Sequence, residues 1–320
     1  MLILSPVDRA SEVAELCDAG AEEFYAGYVP PFWSEAFGPV VTCNRRSFAE
    51  ASVSSIEELD AVLFEAALRD ASVHVAINAS PLPDRMIPPM ADLVEELAGR
   101  GVRGVIVSDL PLMLSLRDRR FRRLEVHAST LFSAFNGGTV AFLRRAGASR
   151  VVLARELSTA DISAMASVAR GTPLEVIGFR GRCPNIEGFC THLHDDPRRV
   201  WPCELRYDKT PEGEGTPPGV LEAIGRNEGV DRFFSCGLCA VPILERCGVH
   251  ALKIVGRGAE TERKASAARA VASMRAWGRE ASPDSRACGL QGKAVYRETF
   301  GRRCRPENCY FPEFLPGEDG

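Results

Sequence analysis

Eight short runs of strand-forming residues recur along the 320-residue chain: Leu2–Ser5, Glu23–Ala26, Val73–Asn78, Gly104–Ser108, Leu124–His127, Val151–Ala154, Leu174–Ile177 and Ala251–Val255. Helical stretches separate nearly all of them, at about Ser11–Ala19, Ser55–Arg69, Pro88–Ala98, Asn136–Arg145 and Thr159–Arg170. Several of these stop at or just before a glycine, which ends a helix at low steric cost. Such alternation predicts an α/β fold, and the count of eight favours a closed (β/α)8 TIM-like barrel over a doubly wound open sheet. The length fits one barrel with additions, and the 45% apolar content supplies a large core. The predicted organisation is a barrel over residues 1–280 and an irregular cysteine-containing tail over 281–320. Within the barrel, residues 180–250 form a long cysteine-rich insertion after strand seven. A loop of that length inside a compact domain is usually functional. It leaves the barrel on the face where such folds build their active sites.

The formal net charge is −4, with both signs interspersed. A basic stripe of the kind nucleic-acid binders carry is missing, so RNA is not the favoured partner. The N-terminus lacks the basic region of a signal peptide, and no apolar run is long enough to span a bilayer. These features predict a cytoplasmic protein, a compartment in which structural disulfides are rare.

Eleven cysteines are therefore unexpected, and nine of them lie from Cys183 onward. Cys183 and Cys190 follow strand seven, Cys203 comes next, and Cys236 and Cys239 form a Cys-x-x-Cys pair. Thiolates are soft donors that suit Zn2+ or an iron–sulfur cluster. A zinc ribbon normally supplies two close pairs. The wide, unequal gaps here lean toward a cluster, with zinc and no metal as alternatives. Cys17 and Cys247 read as small core residues. Cys288, Cys304 and Cys309 could form a second site.

Several segments in this order resemble the peptidase U32 family: Leu4-Ser5-Pro6, Phe24-Tyr25-Ala26-Gly27, Asn44-Arg45-Arg46-Ser47-Phe48, His127-Ala128-Ser129-Thr130, Arg155-Glu156-Leu157-Ser158 and Ala251-Leu252-Lys253-Ile254-Val255-Gly256-Arg257. The resemblance covers about Leu2 to Arg257. It implies an oxygen-independent hydroxylation, or a related oxygen or sulfur transfer, dependent on a [4Fe-4S] cluster. The implied substrate is a small molecule or carrier-bound intermediate, with prephenate as an oxygen donor. It also implies Cys183, Cys190, Cys203 and Cys239 as cluster ligands, with Cys43 or Cys236 as rivals for the fourth place. Family relatives work as pairs, so a hetero-dimer partner of the same family is expected, and a non-catalytic cluster-binding subunit is an alternative. So is a hydrolase of the kind the family name states, although no Ser/His/Asp arrangement is evident.

Strand ends supply the remaining candidates. His127 is read as an acid–base group or anchor, Glu156 as a base or as orienting Arg45 or Arg46, Lys253 and Arg257 as carboxylate binders, and the arginines as positioning the substrate. Asn78 and Asp109 end strands three and four. His192 and His194, beside Cys190, are candidates for tuning a cluster.

Overall fold

The computed structural model describes residues 1–38, 42–46, 48–79, 81–169, 171–183, 186–190 and 234–315. Cys203, His192 and His194 lie outside the described residues. All eight expected strands form: β1 Leu2–Pro6, β2 Glu23–Gly27, β3 Ser72–Ile77, β4 Gly104–Val107, β5 Glu125–Ala128, β6 Arg150–Val152, β7 Leu174–Phe179 and β8 Ala251–Ile254. Each pairs in parallel with its neighbour, and β8 returns to β1, so the sheet closes in sequence order. This is a (β/α)8 barrel.

Helices α1 Val13–Asp18, α2 Pro31–Phe37, α3 Ile56–Ala67, α4 Ile87–Gly99, α5 Leu110–Ser115, α6 Gly137–Ala146, α7 Thr159–Val168, α8 Val241–Arg246 and α9 Thr261–Ala281 follow the strands. Their starts are locally specified. Ser55 Oγ accepts from the Glu58 amide, Asn136 Oδ1 accepts from Thr139, and Ser158 with Asp161 forms a reciprocal capping box. Outward strand residues such as Phe24, Val75, Val105 and Val151 pack with buried helix residues such as Leu59, Met90 and Leu143 in one large apolar cluster. The C-terminal extension departs from expectation because a regular helix, α10 Ser285–Phe300, heads it. Asp284 caps α10, and the buried face runs through Cys288, Gly289, Gly292, Val295 and Tyr296. Gly292, which looks like a breaker in sequence, lets the helix come close to the turn at 238–240, while Gly289 lies against Phe314. A Cβ on Gly292 would sit 2.6 Å from Cys239 Sγ.

Alternate strand residues face the lumen and stack in layers. Leu4, Tyr25 and Ile106 form a small apolar layer of their own. Below it, at the N-terminal end of the strands, Glu23, His74, Glu125, His127, Arg150 and Glu175 form a polar layer. Gly104 belongs to the same level, where a Cβ would meet the Glu125 carbonyl at 2.7 Å and His74 Nδ1 at 2.9 Å. Gly104→Ala should therefore destabilise the protein by about 1–3 kcal/mol in urea unfolding, as overpacking does elsewhere. A change below about 0.5 kcal/mol would show that this layer can spread.

Candidate active site at the barrel mouth

The polar layer seals one end of the lumen. Arg150 grips Glu23 through two bonds, Nη1 to Oε2 at 2.6 Å and Nη2 to Oε1 at 2.8 Å. Its Nη1 also reaches Glu175 Oε2 at 3.3 Å. Glu175 is fully buried and accepts from Lys253 Nζ at 3.2 Å. Burial alone would raise the Glu175 carboxyl, but Lys253 and Arg150 outweigh it and hold the group ionised. His127 sits in this layer. Its Nε2 lies 3.0 Å from Glu125 Oε2, and its ring packs 4.4 Å from that of His74. The expected mouth position of His127 is therefore corrected: β5 extends past it, and its register partner is Arg150, the first residue of β6. His74, Glu125 and His127 bring three potential ligand atoms within 4.8 Å, but the guanidinium of Arg150 already stands 3.7 Å from Glu125.

These charges set an acid sensitivity. Burial pushes His127 down to about 4, with His74 and Arg150 adding to the effect against the Glu125 contact. The His127 bond holds Glu125 at about 2 despite its partial burial. Both groups take up protons more readily when unfolded. Stability should therefore fall as pH drops, first through His127 between about 6.5 and 4, then through the carboxylates below their unfolded pKa of about 4.3. Between pH 7 and pH 5 the His127 contribution alone is on the order of 2 kcal/mol. Urea unfolding should show this slope, and His127→Asn should flatten it. An unchanged slope in that variant would assign the acid sensitivity elsewhere.

The open end holds a pocket lined by Tyr25, Asn78, Ser129 and Thr130 and by five cations: Arg45, Arg46, Arg155, Lys253 and Arg257. Ile106, Val152 and Ile177 form part of its apolar lining. Strand ends deliver most of this set. Arg45 and Arg46 come from the loop after β2, where Arg45 adopts a left-handed backbone (φ 65°). A non-glycine residue in that region costs free energy and commonly marks a functional loop. Arg155 follows β6 and pairs bidentately with Glu187, Nε to Oε2 at 2.7 Å and Nη2 to Oε1 at 2.8 Å. Arg155 Nη1 also donates to Tyr310 Oη at 2.8 Å. Lys253 lies over the Tyr25 ring, 4.1 Å from its centroid.

Positive charge is not fully offset there. Burial, then the charge of Arg257, pushes the Arg46 guanidinium down to about 9. Burial shifts Arg257 in the same direction. Arg257 Nη2 donates to the Asn44 carbonyl at 2.6 Å, while its buried Nη1 and the buried Asn78 Oδ1 find no hydrogen-bond partner among the described residues. Buried polar atoms are normally satisfied, so these two stand out among the residues that line the pocket.

Arg45, Lys253 and Arg257 thus meet at the mouth as the sequence predicts. Glu156 does not: it is exposed and lies outside the pocket lining, whereas its neighbour Arg155 lines it. Asp109 is a helix cap, its Oδ1 accepting from the Leu112 amide at 2.9 Å and its Oδ2 from that of Leu82 at 3.1 Å. Arg155, Tyr25 and Glu187 were missed. The Arg155-Glu156 pair did signal the place, but not which residue turns inward.

Cys183 and Cys190 flank the segment carrying Glu187, beside the mouth. Cys236 and Cys239 are buried, Cys236 bridging Phe179 at the end of β7 and Cys239 lying against α10. Cys43 is buried as well, its Sγ donating to the Tyr28 carbonyl at 3.2 Å. Soft, buried sulfur donors fit a thiolate-ligated cluster by their chemistry.

A model of peptidase family U32 matches residues 8–306. The chain belongs to peptidase family U32. Among curated relatives, tRNA hydroxylation protein P of Escherichia coli is 27% identical over 42% of this chain and 29% of that protein. tRNA hydroxylation protein P1 of Bacillus subtilis is 34% identical over 35% of this chain and 26% of its own length. The chain thus matches only about a quarter to three-tenths of the length of these U32-type relatives. Among solved structures, the U32 peptidase Mk0906 aligns at TM-score 0.43 and 14% identity, covering 56% of this chain and 70% of that one. No helix among the described residues is long and apolar enough to cross a membrane.

Proposed function

We propose that this U32 protein is an iron–sulfur-dependent enzyme of oxygen-independent hydroxylation whose mouth pocket binds an anionic oxygen donor beside the group to be hydroxylated. The observation that carries this reading is the convergence of Arg45, Arg46, Lys253 and Arg257 on a pocket where Arg257 Nη1 and Asn78 Oδ1 lack partners among the described residues. Planar guanidinium forks and an ammonium suit a compact dicarboxylate, and prephenate has that chemistry. The names of the relatives point to a tRNA nucleotide as acceptor, which moves the substrate class away from the free small molecule that net charge favoured.

The resemblance implies Cys183, Cys190, Cys203 and Cys239 as cluster ligands, with Cys43 and Cys236 as rivals for the fourth place. When bound, such a cluster supplies one-electron transfer or a site for an oxygen donor. The chain's own residues do the positioning. Lys253 and Arg257 hold the donor's carboxylates, Ser129 and Thr130 offer hydroxyl contacts, and the Arg155–Glu187 pair fixes the wall of the pocket. The hydrolase alternative is weaker. His74 and His127 are at the closed end, and no imidazole lines the mouth among the described residues.

Two measurements test the reading. Protein purified without oxygen should be brown and contain iron and acid-labile sulfide, and it should bind prephenate more tightly than a monocarboxylate of similar size. Cells lacking the protein should lose one hydroxylated nucleoside from bulk tRNA, as read by mass spectrometry. An iron-free protein, or an unchanged nucleoside inventory, would sink the proposal.

A further inference from the structure

The formal charge of −4 averages over a surface that is far from uniform. Arginines gather on the two links that enter β5 and β6: Arg117, Arg119, Arg120, Arg122 and Arg123 between α5 and β5, and Arg144 and Arg145 at the end of α6. Asp118 is the only acid among residues 117–123, and its side chain accepts from the Arg120 amide at 3.0 Å. Arg120 is engaged by Glu95 at 2.7 Å. The other six arginines are exposed and form no ion pair among the described residues. Packing holds the two links together. Gly147 ends α6 in a left-handed conformation (φ 119°), and a Cβ there would sit 2.9 Å from Arg117 Cγ. The stem of Arg117 thus lies on the cap of the helix that carries Arg144 and Arg145. Phe121 is buried and pins the turn at 119–121 to the core, so its neighbours stand on a fixed backbone. Cations at the end of α6 have a structural use, since they oppose the helix dipole. Arg119, Arg122 and Arg123 lie beyond any α-helix and have no such use.

We infer that this arginine surface binds the phosphate backbone of an RNA, at the end of the barrel opposite the pocket. The inference rests on the reading that the acceptor is a tRNA, and it adds where the body of that molecule is held. Guanidinium forks match phosphate oxygens two at a time, and the cluster consists of arginine alone. Like charges gathered without counter-charges repel one another, and a polyanion removes that repulsion while releasing its own counter-ions. An aromatic ring stands among them. Phe142 on α6 is 47% exposed and lies three residues before Arg145, on the same side of the helix. A ring in that place offers an unpaired base a face to stack on, which an acidic protein or a lipid headgroup does not use.

The distance between the two ends suits one molecule. β5 joins them: Arg123 comes just before the strand, and Ser129, in the pocket lining, just after it. At about 3.3 Å per residue these points are roughly 20 Å apart. A folded RNA is longer than that, so it can present a nucleotide to the mouth while its backbone lies along the α5–α6 side of the barrel. Contacts to phosphate fix position and orientation and carry no sequence information, which leaves the choice of nucleotide to the mouth.

The test follows the anisotropy of labelled, unfractionated tRNA as full-length protein is added at several KCl concentrations. Wild type is compared with Arg119→Gln/Arg122→Gln/Arg123→Gln and with Arg286→Gln/Arg297→Gln/Arg303→Gln, an equal change of charge at exposed arginines of α10 and the segment after it. Thermal melts of the three proteins should coincide, because every substituted side chain is exposed. The first triple should bind at least tenfold more weakly, and its slope of log affinity against log KCl should be shallower by about 2, for three phosphate contacts at roughly 0.7 to 0.9 each. The second triple should lose less than about threefold, since dispersed surface charge is screened by salt. A wild-type protein that does not bind tRNA, or equal losses in both triples, would overturn the inference. So would wild-type protein that binds vesicles of phosphatidylglycerol in place of tRNA and loses them in the first triple, which would assign the surface to a membrane. The functional reading fails separately. A hydroxylated nucleoside lost from cells lacking the protein, with tRNA affinity unchanged in the first triple, overturns the surface alone. Binding that depends on the surface, with every nucleoside unchanged in those cells, overturns the hydroxylase reading and leaves an RNA-binding surface.

Discussion

Replacing Arg150 with alanine should cost the fold about 3–5 kcal/mol, the usual penalty for breaking a buried ion pair from one side. The guanidinium is the shared partner of Glu23 and Glu175 and stands near Glu125. Without it, Glu23 keeps its burial but loses its main counter-charge, and Glu175 is left with Lys253. The melting temperature should fall by about 10 °C, given roughly 2–4 °C per kcal/mol for domains of this size. Adding Glu23→Gln should recover part of the loss, because the carboxylate left unpaired is then neutral. The double-mutant cycle in urea should give a coupling above 1 kcal/mol. A loss below 1 kcal/mol for Arg150→Ala would mean that water enters the layer and replaces the arginine.

Arg257→Ala should behave in the opposite way. Affinity for a dicarboxylate such as prephenate should drop at least thirtyfold, since truncating one partner of a buried charge pair costs about 2–5 kcal/mol. The fold should hold its stability or gain slightly. Burial already disfavours the charge on Arg257, and its removal relieves Arg46. Arg257→Lys should recover binding only in part, because an ammonium cannot reproduce the planar two-point contact. Calorimetric titration and thermal melts on the same samples separate the two effects. A variant that binds normally, or one whose melting temperature collapses, would make Arg257 a structural residue.

Much of the barrel could be read from the strand runs alone. Lys253 and Arg257 were found because they stand within and just after the last strand run, and Arg45 because its segment resembles the family's. Height within the lumen was not legible. His127 looks terminal in its run, yet the stagger of a closed barrel sets it level with Arg150 at the start of β6. Arg155 escaped because β6 ends at Val152, and alternation stops giving direction once pairing stops. The burial of Cys239 depends on α10 folding back over the 238–240 turn, a contact between segments about fifty residues apart. Gly292, which permits that contact, is itself a poor helix former.

The sealed floor of the lumen has a kinetic consequence. With Arg150, Glu23 and Glu175 blocking any through-route, every ligand enters and leaves by one door. A small donor seated on Lys253 must arrive before a bulky acceptor covers the opening, and must leave after it. Steady-state patterns should therefore be ordered, with the larger molecule second to bind and first to depart.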